Sequence, residues 1–192
     1  MARKLDTLPV LDAPTRAQWR IWLMAHHTQP DGIWLTLYKK AQGPGYLNYA
    51  EAVEEALCFG WIDSVPRKGD ALCYQQYFSP RKPGSVWSGL NKRRIAALQA
   101  AGQLHPAGVA KIEMAQQDGS WAILDAVDAL ELPPDLAAAF AEHAAAHQNF
   151  QAFPPSTRKQ ILQQLIAVKR PETRQQRIAR IIEKAARNER AV

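Results

Sequence analysis

The chain has 192 residues, of which 47% are hydrophobic and 22% charged, and it carries a formal net charge of +6. That length suits a folded core, and a composition with 10 Gly and 13 Pro excludes a wholly disordered, collagen-like or low-complexity chain. No apolar run approaches the roughly 18–20 residues of a bilayer span, and neither a secretory signal ahead of Asp6 and Asp12 nor a disulfide framework from Cys58 and Cys73 can be read, so a cytoplasmic location is expected.

Residues 1–13 read as an N-terminal arm. Pro14 suits a first helical position with Asp12 as its cap, and Trp19, Trp22, Leu23, His26 and His27 then recur at the spacing of one helical face. Thr28-Gln29-Pro30-Asp31-Gly32 is turn chemistry that ends this helix. The next segment alternates as a strand, with Ile33, Leu35 and Leu37 on one side and Trp34, Thr36 and Tyr38 on the other. A second turn at Gln42-Gly43-Pro44-Gly45 precedes a short helix that starts at a capping box of Asn48 with Glu51 and stops at Gly60. Two strands, from Trp61 to Val65 and from Leu72 to Phe78, form a hairpin around Arg67-Lys68-Gly69-Asp70. The segment Ser79-Pro80-Arg81-Lys82-Pro83-Gly84-Ser85 is too rich in Pro and Gly for regular structure.

A helix from about Ser88 to Ala101 is expected to bury Leu90, Ala97 and Leu98 and to stop at Gly102. Everything beyond reads as helical, with Pro106, Pro134, Pro155 and Pro171 each near a helix start. On the last two helices Ile161, Leu162, Leu165 and Ile166, then Ile178, Ile181, Ile182 and Ala185, should face inward. The expected fold class is α+β: a small antiparallel sheet with flanking helices, followed by an all-helical C-terminal region. The boundaries read from the sequence are an arm at 1–13, an α+β domain at 14–132 and a helical region at 133–192 packed on it.

Charge is unevenly spread along these elements. Residues 61–102 carry 7 basic and 2 acidic groups, 103–155 carry 1 and 7, and 156–192 carry 10 and 3, whereas 1–60 are balanced. Two basic segments of this kind can steer acidic partners, although solvated helix faces account for such charges equally well.

The densest chemistry lies between Cys58 and Arg94. Arg81 and Lys82 sit in a loop that feeds a helix start near Ser88, and free backbone N–H groups beside a guanidinium suit an anionic group. Trp61 and Trp87 would supply apolar walls, with Asp63, Ser88, Asn91 and Arg94 orienting the ligand. The plainer reading makes Ser85 or Ser88 a helix cap, the tryptophans core, and Asp63 the partner of Arg81.

Other chemistries have weaker support. Cys58 lacks the helix N-terminal position that activates a thiol and reads as a small buried hydrophobe. Ser79-Pro80-Arg81-Lys82 matches a serine-acylase spacing, but Pro83 breaks the helix that this chemistry requires. His143 and His147, four apart, read as surface histidines, and no metal or other cofactor is expected. The basic C-terminal helices superficially suggest helix-turn-helix, yet Glu183 and Glu189 interrupt the basic face, so nucleic-acid binding is a minor alternative.

Three stretches, Ala56-Leu57-Cys58-Phe59-Gly60-Trp61-Ile62-Asp63-Ser64, the run from Phe78 to Arg94 and the run from Lys169 to Ile178, resemble the YdeI/OmpD-associated, or bacteriocin-protection, family. The likeness runs from about Trp19 to Asn188, with the C-terminal helix pair matching the family's defining domain. The resemblance implies bacterial origin, a role in tolerance of envelope stress or antimicrobial peptides, and association with an outer-membrane porin. It also implies a periplasmic location for some members, against the cytoplasmic one expected here. It supplies no catalytic residues. The function expected is therefore a non-enzymatic stress-tolerance protein that binds an anionic small molecule or an acidic protein partner. The alternative is an enzyme using Cys58 or Asp63.

Overall fold

The computed structural model describes residues 4–39, 45–166, 168 and 170–191. The architecture is α+β, as expected, and it divides into two compact units, residues 1–121 and 122–192. The turn expected at Gln42-Gly43-Pro44 lies outside the described residues.

The first unit holds a four-stranded sheet in the order β1-β2-β4-β3, formed by β1 (Val10–Leu11), β2 (Ile33–Tyr38), β3 (Trp61–Lys68) and β4 (Cys73–Pro80). The hairpin β3–β4 is antiparallel, as is β2 with β4, while the short β1 joins β2 in parallel. The residues read as an arm thus supply a 3-10 turn at Lys4–Thr7 and the edge strand β1. Trp34 Nε1 donates to the Leu5 carbonyl at 2.8 Å, and the Arg67 guanidinium lies 4.1 Å from the centre of its ring. With its second face covered in this way, Trp34 is as buried as the core-facing Ile33 and Leu35.

Ile33, Leu35, Leu37 and Phe78 meet helices α1 (Arg16–His26) and α2 (Tyr49–Cys58) in the first core. Thr15, rather than Asp12, caps α1: its side chain accepts from Gln18 N–H, and Gln18 returns the bond to complete a capping box. Asp12 instead accepts from the Tyr38 hydroxyl. The Asn48–Glu51 box opens α2 as expected, and Gly60 leaves it at φ +75°, a conformation that favours glycine. Glu55, on the buried side of α2, is held by Arg16 and Arg20 of α1, each at 2.6 Å.

Ser88 caps α3 (Gly89–Ala100). Its buried residues are Ile95 and Leu98, three apart and so on one face; Leu90 is half exposed and Ala97 also faces solvent, contrary to the sequence pattern. Helix α4 (Pro106–Gln117) begins with Pro106 behind His105, whose Nδ1 accepts from Ala107 N–H at 3.2 Å. Gly108 brings α4 so near the end of α2 that an added Cβ would stand 2.2 Å from the Cys58 carbonyl oxygen.

The second unit is helical: α5 (Asp125–Asp128), α6 (Pro134–Glu142), α7 (Ala144–Ala152), α8 (Pro155–Ile166) and α9 (Pro171–Ala186). Val127 is part of its core, with Leu130 and Leu132 against it, so residues 122–132 pack with these helices. Each of α4, α6, α8 and α9 opens on the proline that marked it. Ile161, Leu162, Leu165, Ile178, Ile181, Ile182 and Ala185 are buried together, whereas Ile166, at the end of α8, is more than a third exposed.

Candidate functional site

The residues singled out between Cys58 and Arg94 fall into several local groups of contacts. Trp61 opens β3 fully buried, with its indole donating to the His27 carbonyl at 3.0 Å. Asp63, two residues on, pairs with Phe78 across the hairpin and accepts a 2.6 Å hydrogen bond from the Tyr49 hydroxyl at the start of α2. Burial first, and then this bond to a carboxylate, push the Tyr49 phenol above its usual range. The nearby Arg94 guanidinium acts in the opposite direction.

Arg81 follows the last residue of β4 and is only 3% exposed. Its guanidinium carbon lies 3.4 Å from the centre of the Trp87 ring, itself buried, and Nη1 donates to the Val86 carbonyl at 3.3 Å. Its Nε has no hydrogen-bond partner among the described residues. Burial lowers the Arg81 pKa to about 10, an effect that the charge of Asp63 opposes. Even so, the side chain remains cationic at neutral pH. Lys82 is exposed. Ser88 Oγ accepts from Asn91 N–H at 3.3 Å, and Asn91 Oδ1 accepts from Arg94 Nη1 at 3.2 Å.

Tyr49, Asp63, Arg81, Trp87, Ser88, Asn91 and Arg94 thus share one neighbourhood, and both guanidiniums find neutral oxygens as hydrogen-bond partners. The two tryptophans belong to the core, and the cavity bordered by Arg81, Lys82 and Trp87 has only about 10 Å³. A ligand-sized space opens instead further along α3: a cavity of about 450 Å³ lined by Arg16, Arg93, Arg94, Glu54, Ala97 and Leu98. Arg16 is engaged there by Glu54 at 3.1 Å and by Glu55. Sequence reasoning missed Tyr49, Arg93 and Arg16, because nothing in their spacing links α1, α2 and α3.

Cys58 is fully buried, and burial pushes its thiol up from the usual range. His143 lies between α6 and α7, and His147 stacks on Phe140 at 5.0 Å. Among the described residues, no group of three or more His, Cys, Asp or Glu side chains is placed to hold a metal ion. On α8 and α9, Lys159, Arg174 and Lys184 are each held by a carboxylate of the same unit, as is Arg187 just after α9. A second cavity, of about 710 Å³, lies within that unit, with Ile178, Ile182 and Ala139 in its walls and the Asp135–Arg174 pair at its edge. No helix among the described residues is long and apolar enough to cross a membrane.

The family model described as Domain of unknown function (DUF8412) matches residues 11–111, more than half of the chain. The chain belongs to this family. The DUF8412 match contains β2 to β4, helices α1 to α3 and every candidate site residue named above from Tyr49 to Arg94. A second model, Bacteriocin-protection, YdeI or OmpD-Associated, matches residues 129–188, which include α6 to α9. The resemblance read from the sequence is therefore found in the second unit, while two of the three stretches that suggested it fall within the DUF8412 match. No curated protein and no solved structure matches the chain.

Proposed function

We propose that this is a non-enzymatic bacterial stress-tolerance protein that binds an anionic ligand or an acidic partner through its first unit, at α3. The single observation that carries this reading is the cavity of about 450 Å³ lined by Arg93 and Arg94, with Arg16 beside them paired to Glu54 and Glu55. Arg94 contacts the anion, Asn91 orients Arg94, and Arg93 adds charge from the neighbouring position. Ala97 and Leu98 offer an apolar wall for the remainder of the ligand. Arg81, Trp87 and Ser88 support the site from behind by fixing the loop and the start of α3, while Asp63 and Tyr49 brace its other end. Lys82, exposed on the loop, extends the positive field. The link to stress tolerance rests on the description of the family that residues 129–188 match, and a porin partner rests on the same description alone.

Thermal unfolding in the presence of inorganic pyrophosphate, citrate or a glutamate-rich peptide tests the reading. At least one of these probes should raise the Tm at low salt, lose that effect at high salt, and lose it in Arg94→Ala. Absence of any shift, or equal shifts in wild type and Arg94→Ala, would remove the anion site.

A further inference from the structure

The small cavity under the basic loop poses a separate physical question, independent of the anion site on α3. Arg81 is a buried cation whose guanidinium lies over Trp87 and makes one long bond, 3.3 Å, to the Val86 carbonyl. A buried charge is costly unless its N–H groups are hydrogen-bonded and a counter-charge is near. Among the described residues, Arg81 Nε has no hydrogen-bond partner, nor has Ser120 Oγ in a residue that is 2% exposed. Both residues line the same cavity, together with Trp87, Lys111 and Asp118.

Asp118, a second carboxylate besides the Asp63 whose charge acts on Arg81, also lines the cavity. Its carboxylate accepts from Ser120 N–H at 2.8 Å and from Gly84 N–H at 3.1 Å, which pins the Lys82–Ser85 turn to the end of α4. The Asp118 carboxyl is held below the usual range, first by the Ser120 side chain and then by these backbone donors. A carboxylate has room for further hydrogen bonds beyond two. The volume, about 10 Å³, matches the roughly 10–15 Å³ that one water requires and leaves no room for a tetrahedral oxyanion.

We propose that this cavity binds one water molecule, which accepts from Arg81 Nε–H and links it to Ser120 Oγ and the Asp118 carboxylate. The buried guanidinium, already in the field of Asp63, then gains a link to a second carboxylate through solvent, and the basic loop is locked to the end of α4. A water with three polar partners is a structural part of the protein. The three residues come from the loop after β4 and from the end of α4, which sequence spacing does not connect.

A high-resolution crystal structure of the full chain, soaked in bromide, tests the assignment. A spherical peak within hydrogen-bond distance of Arg81 Nε and of Ser120 Oγ or Asp118, without anomalous signal, is expected. A dry cavity, a bromide signal at that position, or direct contact between Arg81 and either partner overturns it. Thermal unfolding of Ser120→Ala gives an independent sign. Loss of a water-bridging hydroxyl should lower the Tm by about 2–4 °C, whereas removal of a hydroxyl with no partner would leave it unchanged or raise it. Either of the latter results counts against the water.

Discussion

In the first unit the largest buried side chains are tryptophans, and the indoles of Trp19, Trp34 and Trp61 each donate to a backbone carbonyl. The second unit has no tryptophan; its core is built from Leu136, Phe140, Phe150, Ile161, Leu162 and Ile181, and polar links such as Arg174–Asp135 run along its surface. A hydrogen-bonded indole fixes both the position and the rotation of a large ring, so charged groups can be stacked against it reproducibly. An aliphatic helical core fixes packing but sets no such directions. The first unit shows such stacking where the Arg67 guanidinium lies over the hydrogen-bonded Trp34 ring.

The largest expected effects break each core where the two differ. Trp61→Ala should destabilise the first unit by about 3–5 kcal/mol, through a large cavity and an orphaned His27 carbonyl; Ile181→Ala should cost the second about 2–4 kcal/mol. All six tryptophans lie in the first unit, so indole fluorescence follows that unit alone while far-UV circular dichroism follows helix in both. Urea unfolding should move the fluorescence midpoint in Trp61→Ala but leave it in place in Ile181→Ala. Equal movement in both variants would mean that the contrast between the units does not govern their stability.

Gly108→Ala sharpens the comparison within the first unit. Helix propensity alone favours alanine by about 1 kcal/mol. The added Cβ would collide with backbone at the Cys58 carbonyl, however, so a net loss of about 1–3 kcal/mol is expected in the same urea experiment. A stabilised variant would show that α4 does not rest on α2 at this distance.

The smallest effect belongs to the surface of the second unit. Arg174 grips Asp135 with Nε at 2.5 Å and Nη2 at 2.9 Å, but Asp135 is largely exposed, so Asp135→Asn should cost no more than about 0.5–1 kcal/mol. The Arg174 guanidinium lowers the Asp135 pKa below its free value. The pair therefore contributes fully at neutral pH and is lost as the pH falls from about 4 through the lowered value. The difference between wild type and Asp135→Asn in the helix-detected transition should vanish over that acid range, and at high salt. A difference that persists at low pH would assign the effect to packing.

Much of the fold could be read locally. The prolines at the starts of α4, α6, α8 and α9, the Asn48–Glu51 box and the Gly60 stop all act through a few neighbouring backbone groups, so spacing reveals them. The buried stripe of α9 was legible for the same reason. The buried face of α3 was not: Leu90 and Ala97 looked apolar enough, but the rotation of that helix is set by what it packs against, which is Ile95 and Leu98 on the core. The cap of α1 moved from Asp12 to Thr15 because Gln18 reciprocates the hydrogen bond. At the site, the pattern brought forward Asp63, Arg81, Asn91 and Arg94, and the structure gathers them. Tyr49 and Ser120 were invisible because each meets its neighbours across distant stretches of chain.

By itself, then, the sequence determined the α+β class, the starts of α2, α4, α6, α8 and α9, and the likeness of the C-terminal helices to the bacteriocin-protection family. Those features depend on hydrophobic period and on hydrogen bonds spanning three or four residues. Only the tertiary structure decided that Arg81 is buried against an indole while Arg94 borders open space, and that Asp118 is the carboxylate nearest the basic loop. Burial and charge pairing depend on which elements meet in space, and no local spacing encodes that.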